Sequence, residues 1–356
     1  MADLGNLRYV VIAPILALIL IVSKNVYRIN SYSFNIGAAL YFGGGLIATV
    51  LHGDLRSFTY LPFIVLNIAL LPLFGKIRFT TTQIGILAAY FMFTLCFLPG
   101  STPARFIYGN ENNYATVAMC ASYLALLATK RSLLYQIPVA LLFTFFAFAS
   151  QSRTQLAATI LMLTLYFLQR LLGTTFRYIT VAILLVIGIA YISLMLGDPL
   201  GIIEFVQSVT VGSKAYRGLS YRDVLLFSSL SVLENFPLGV GWGRSGYALE
   251  PYTGLQLSPH NQFIKVAVEA GWLAFIGYLV MLFGFVARRA TPLSASFLVA
   301  VSVRGLFESA TPFTLSLISV MLVLPFFLNE QNVDYAGDSL GKTLIRPHLT
   351  LHTRGA

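Results

Sequence analysis

Long apolar runs separated by short polar breaks dominate the chain. They lie near 7–23, 34–51, 58–74, 83–99, 114–128, 134–149, 155–172, 178–196, 262–287, 293–307 and 312–328. A helix rising 1.5 Å per residue needs about 20 residues to cross a bilayer, so the pattern predicts about 11 transmembrane helices. Ser23-Lys24-Asn25 does not resemble the small-residue cleavage site of a signal peptide, and the first run reads as a span. One connection, 197–261, is long. Within it, Tyr221 to Leu233 sets Val224, Leu225, Phe227 and Leu230 among polar residues, a helical pattern suited to an interface. Pro237-Leu-Gly-Val-Gly-Trp-Gly243 then breaks any helix. The expected organisation is a set of N-terminal membrane helices over 1–196 and an external loop with short helices over 197–261. C-terminal membrane helices follow over 262–328, and then a polar, mobile cytoplasmic tail over 329–356.

Composition narrows the class. Hydrophobic residues make up 57% and charged residues 10% of the chain, against about 25% charged in a soluble domain. A soluble enzyme is excluded, and the expected fold is an all-α polytopic membrane protein. The formal charge of +10 would suggest nucleic acid in a soluble chain. In a membrane chain it sets topology and serves an anionic ligand, so membrane lipids are expected partners and nucleic acid is not. Basic pairs occupy every second connection: Lys24/Arg28, Lys76/Arg78, Lys130/Arg131, Arg170/Arg177 and Arg288/Arg289. Those connections should face the cytoplasm, which puts the N-terminus and the 197–261 loop outside. Cys96 and Cys120 lie in apolar runs with no CxxC or Cys/His cluster, which excludes a disulfide scaffold and structural zinc.

Two polar features stand out. Arg153, Arg217, Arg222 and Arg304 fall on the predicted outer side. Any one of them could be snorkelling to headgroups. Four beside a Gly-rich loop suit an anion, because the guanidinium fork binds phosphate in a bidentate manner and keeps its charge. The second feature is Leu257-Ser-Pro-His-Asn-Gln-Phe263, followed by Lys265, Glu269 and Gly271. Asn261 suits a helix N-cap, so a plain helix start is one reading. In the other, a neutral His260 takes a proton from a hydroxyl as general base. Lys265 and Glu269, four residues apart, should pair with each other. There is no DxD and no carboxylate close to His260, so neither a metal nor another cofactor is expected.

These pieces together resemble the O-antigen ligase and O-antigen polymerase superfamily, membrane glycosyltransferases with a GT-C type of helical fold. His260-Asn261 with Glu269-Ala-Gly271 looks like the family's central signature. Asn235 to Gly243 is similar to its Pro-x-Gly-x-Gly turn, and Arg222 occupies its loop-arginine place. Ser150-Gln-Ser-Arg-Thr154 resembles the Ser-x-Ser-Arg segment, and Gly109-Asn-Glu-Asn-Asn113 an Asn-rich segment opening another span. The family often has a second glycine where Ala274 stands here, and its ligases usually have about 12 spans and a longer outer loop.

The resemblance implies metal-independent, inverting transfer of a glycan from an undecaprenyl-diphosphate carrier to an acceptor hydroxyl. This would take place at the periplasmic face of a bacterial inner membrane. The acceptor would be a lipid A core sugar in a ligase, or a second lipid-linked glycan in a polymerase. A polysaccharide transporter or flippase is a third reading, but transporters set their charges near the midplane between repeated halves, and no repeat is visible. His260 and Arg222 would be catalytic, and Arg153, Arg217, Arg222 and Arg304 would hold the diphosphate. Asn261, Glu269, Gly239 and Gly241 would support them.

Overall fold

A computed structural model of the chain describes residues 32–62, 79–97, 101, 111–129, 133–172, 175–195, 200–201, 222–288, 290–308, 324–328, 330 and 333–334. The described residues are mostly helical. In chain order they form α1 (Tyr32–His52), α2 (Leu55–Phe58), β1 (Phe79–Thr80), α3 (Thr81–Leu95), α4 (Glu111–Ala128), α5 (Leu133–Ala149), α6 (Arg153–Leu172) and α7 (Thr175–Met195). Then come α8 (Arg222–Asn235), α9 (Ser245–Thr253), α10 (Gln262–Arg288), α11 (Pro292–Gly305), α12 (Leu324–Phe327) and β2 (Val333–Asp334). The expected runs near 7–23 and most of 58–74 and 312–328 lie outside the described residues.

Local sequence explains several helix starts. Thr80 and Gln83 form a reciprocal capping box: the Gln83 N–H donates to the Thr80 hydroxyl and the Thr80 N–H to the Gln83 side chain. Thr291 and Ser294 do the same ahead of α11, with Pro292 in the first turn. Each satisfies N–H groups that a helix start leaves without partners.

Packing divides into two apolar clusters. In one, α1 lies along α10 with α8 and the 240–249 segment against them. Small residues allow the close approach of α1 and α10: a methyl on Gly37 would stand 2.4 Å from the Met281 nitrogen, and one on Gly44 2.7 Å from the Ala274 nitrogen. The second cluster surrounds α4, whose residues 114–124 are all buried. A helix apolar on every side must be enclosed, and α3, α5, α6 and α11 enclose it.

Outward faces carry large apolar side chains, among them Tyr90, Phe93, Leu141, Phe145, Phe148 and Val186, a surface suited to lipid. Among the described residues three helices are long and apolar enough to cross a membrane: Phe34–His52, Arg153–Leu172 and Gln262–Ala287. Shorter apolar helices at Thr81–Leu95, Leu134–Ala149, Tyr178–Ala190 and Pro292–Gly305 coincide with expected spans, and Val224–Asn235 is the expected loop helix.

Two sequence expectations change. The run 262–287 is not one straight helix, since its backbone leaves helical geometry at Gly271. The start of the tail is also not loose. Val333–Asp334 pairs in parallel with Phe79–Thr80. A polar stretch reads as tail in sequence because two strand residues leave no periodic signal.

Candidate active site

The break in α10 organises the site. Gly271 has φ 80° and ψ 176°, a conformation essentially confined to glycine. It divides α10 into a short arm, 262–270, and a longer one, 272–288. In a straight helix Phe263 and Tyr278 would be about 22 Å apart. Here their ring centroids are 5.7 Å apart, and the Gln262 side chain donates to the Tyr278 hydroxyl at 2.6 Å, so the arms bend sharply toward each other. The break removes helical partners from backbone groups on both sides, and the Gly-rich turn replaces them. The Val240 and Gly241 N–H groups donate to the carbonyls of Val268 and Glu269, each at 2.9 Å, and the Trp272 N–H donates to the Pro237 carbonyl at 3.1 Å. Non-helical backbone in a buried setting persists only where such groups are satisfied.

Glycine is required on both sides of this contact. A methyl on Gly239 would lie 2.5 Å from the Gly271 nitrogen, and one on Gly271 2.5 Å from the Leu238 carbonyl carbon. Gly241, also at positive φ, passes Gly53 and Ser57 with no room for a side chain. The two glycine motifs of the sequence are therefore halves of one structure. Trp242 follows as a buried anchor against Tyr41, ring centroids 5.4 Å apart.

The short arm begins at the His-Asn pair. Asn261 caps it as expected, its Oδ1 accepting from the N–H groups of Phe263 at 3.0 Å and Ile264 at 3.1 Å. Its Nδ2 also donates to the Leu306 carbonyl at 3.2 Å, tying the arm to the end of α11. His260 is exposed, directly after the buried Pro259. Further along the arm Glu269 is wholly buried. Its Oε1 accepts from the Ser245 hydroxyl at 2.7 Å and faces Lys265 Nζ at 3.8 Å, the pairing expected from spacing. Ser245 also approaches the Ser258 hydroxyl at 3.4 Å.

The arginines occupy different settings. Arg304, near the end of α11, is 2% exposed; its Nε donates to Thr116 Oγ1 at 3.2 Å. Its Nη1 is buried without a hydrogen-bond partner among the described residues. Nearby, Asn112 donates to Glu308 at 2.8 Å. The start of α4, the end of α11 and the start of α10 thus converge, which brings residues 111–113 of the Asn-rich motif and the His-Asn pair to one end of the described helices. Arg153 is exposed as the first residue of α6, which packs along α11, and follows a turn in which Gln151 has φ 59°. Arg222 opens α8, with its side chain outside what is described, and Arg217 lies outside the described residues.

Sequence reasoning missed Arg244, Asp54, Ser245 and Ser258. Arg244 Nη1 donates to the His52 carbonyl, and its Nε lies 3.4 Å from Asp54 Oδ2. This clamps the Gly-rich turn to the end of α1. Partial burial raises the Asp54 pKa, but the Ser57 N–H at 3.0 Å and the Arg244 charge outweigh it, and the carboxyl lies below its ordinary value. The available signal was a cation directly after the last glycine of the turn. No spacing linked it to Asp54, which is 190 positions earlier.

A family model described as O-antigen ligase matches residues 138–279. Over this stretch the chain is similar to the O-antigen ligase family. The matched region runs from within α5 through Arg153, the loop helices, the Gly-rich turn and His260 to the second arm of α10, so both sides of the glycine contact fall inside it. No curated protein and no solved structure matches the chain significantly.

Proposed function

We propose that the protein is an O-antigen ligase-type glycosyltransferase, moving a glycan from an undecaprenyl-diphosphate carrier to a hydroxyl of a lipid A core sugar at the periplasmic face of the inner membrane. The observation that carries this reading is the exposed His260 at the head of a capped, clamped arm inside the family-matched stretch. In the proposed step the acceptor oxygen attacks the anomeric carbon and the bond from that carbon to the diphosphate oxygen breaks. His260 takes the hydroxyl proton, and undecaprenyl diphosphate leaves with its charge met by arginine. Attack from the face opposite the leaving group inverts the anomeric configuration. Arg153, Arg217 and Arg222 would meet the diphosphate from the loop side, and Arg304 would offer from within its Nη1, which has no hydrogen-bond partner among the described residues.

A polymerase, with a second lipid-linked glycan as acceptor, is the alternative, favoured by an outer loop short for a ligase. Purified protein incubated with a lipid-linked oligosaccharide, with and without core lipid, separates the two. Single transfer to core supports the ligase; lipid-linked ladders without core support the polymerase; no transfer in either arm overturns both.

A further inference from the structure

His260 sits between two anchored neighbours. On its C-terminal side, Asn261 is fixed by two cap bonds and by Leu306. On its N-terminal side, Ser258 reaches Ser245, and Ser245 donates to Glu269. Glu269 lies two residues before the break, and its own carbonyl accepts from Gly241 in the Gly-rich turn. One buried residue therefore touches three separate segments: the turn through its backbone, the start of α9 through Ser245, and Lys265 through charge. Charge balance alone is met by Lys265. It gives no reason for the Ser245 hydroxyl, itself 2% exposed, to point at the carboxylate while standing 3.4 Å from Ser258.

We propose that Glu269 is a positioning residue which, through Ser245 and Ser258, sets where His260 stands. This rests on the reading of His260 as the base. A base displaced by about 1 Å costs up to about a hundredfold in rate, and the chain Glu269, Ser245, Ser258 controls a displacement of that order because it holds the residue two positions before His260.

The test uses the full-length protein in detergent micelles and two readouts. Transfer kinetics are measured with lipid-linked oligosaccharide and core lipid. The rate at which diethyl pyrocarbonate acylates His260 is measured by mass spectrometry, with His52 as internal reference. Ser245→Ala and Ser258→Ala remove one hydroxyl each and leave the Lys265 pair intact. They should lower kcat by about tenfold to a hundredfold with the donor KM and the melting temperature nearly unchanged, and should change the His260 acylation rate severalfold while His52 reacts as before. Glu269→Ala should do the same or more, and Glu269→Gln, which keeps an acceptor for Ser245, should recover most of the loss. Should Glu269→Ala fail to fold, the two serine variants still decide. Unchanged kcat and unchanged His260 acylation in both would overturn the proposal. If wild-type protein shows no transfer while His260 acylation still responds to the serine variants, the positioning stands and the ligase reading fails.

Discussion

Asn261 caps the short arm through Oδ1 and reaches Leu306 through Nδ2, so the backbone at His260 is fixed while its side chain is exposed. That combination suits a group that must meet a substrate. His260→Ala should lower turnover by about 10² to 10⁴-fold with folding and donor binding retained. Were His260 only part of a helix start, the same change would cost at most about 1 kcal/mol of stability and leave turnover near normal, because Asn261 still caps. At Arg222, Lys should be nearly as damaging as Ala, since a point charge cannot replace a bidentate fork; full activity in Arg222→Lys would reduce its role to generic charge. Asp54 gives a pH dependence of known sign. Its folded pKa lies below the model-peptide value of 3.8, so its contribution to stability is present above that value and is lost as pH falls through the folded pKa. The melting-temperature gap between wild type and Asp54→Asn should hold steady from pH 7 to about pH 4 and close below it. A gap that widens toward acid would have the sign wrong.

At the scale of elements, the contact between the Gly-rich turn and the α10 break makes a sharper prediction. Gly271→Ala and Gly239→Ala would each press a methyl against backbone at 2.5 Å, on top of a conformational cost of about 1–3 kcal/mol. Gly254 also has positive φ, at 70°, but a methyl there meets nothing within 4 Å. Gly254→Ala should therefore show only the conformational cost, about 1–2 kcal/mol, whereas the other two should lose most folded protein in a size-exclusion assay of detergent extracts. Equal behaviour of all three would mean that close packing at the break is not what these glycines supply. The same contact marks how far the sequence was legible. Apolar runs gave α1, α3, α5, α6, α7 and α11 close to their bounds, because each buries or exposes an apolar surface over most of its length. The Asn261 cap and the Lys265–Glu269 pair were legible because both act within one turn of helix. The break at Gly271 was not, because its cause lies 30 residues upstream in the Val240 and Gly241 N–H groups. Arg244 with Asp54 and Ser245 with Glu269 were hidden for the same reason: the partners lie 190 and 24 positions apart in sequence, and only the folded turn brings them together.

On the scale of the whole molecule, the two ends of the helix bundle differ in a way that bears on sidedness. At one end lie the starts of α4 and α10 and the end of α11, joined by Asn261 to Leu306, Arg304 to Thr116 and Asn112 to Glu308. At the other, Tyr123 holds Leu328, Val333–Asp334 pairs with Phe79–Thr80, and Arg170 and Tyr166 bond Gln136. In sequence this second group adjoins Lys76/Arg78, Lys130/Arg131 and Arg170, basic pairs from connections that charge alone assigned to the cytoplasm. Among the described residues, those nearest these pairs in sequence, Phe79–Thr80 and Gln136, lie at that end with Arg170 and Val333–Asp334. Leu255, exposed in the long connection, and Leu172, exposed beyond Arg170, should then lie on opposite sides of the membrane. In a background with Cys96 and Cys120 replaced by alanine, Leu255→Cys should react with an impermeant thiol reagent in intact spheroplasts and Leu172→Cys only after lysis. Reversal of the two would turn the site to the cytoplasm, where a nucleotide-linked donor would be available and a carrier lipid facing the periplasm would not, and the proposed donor would fall with the topology.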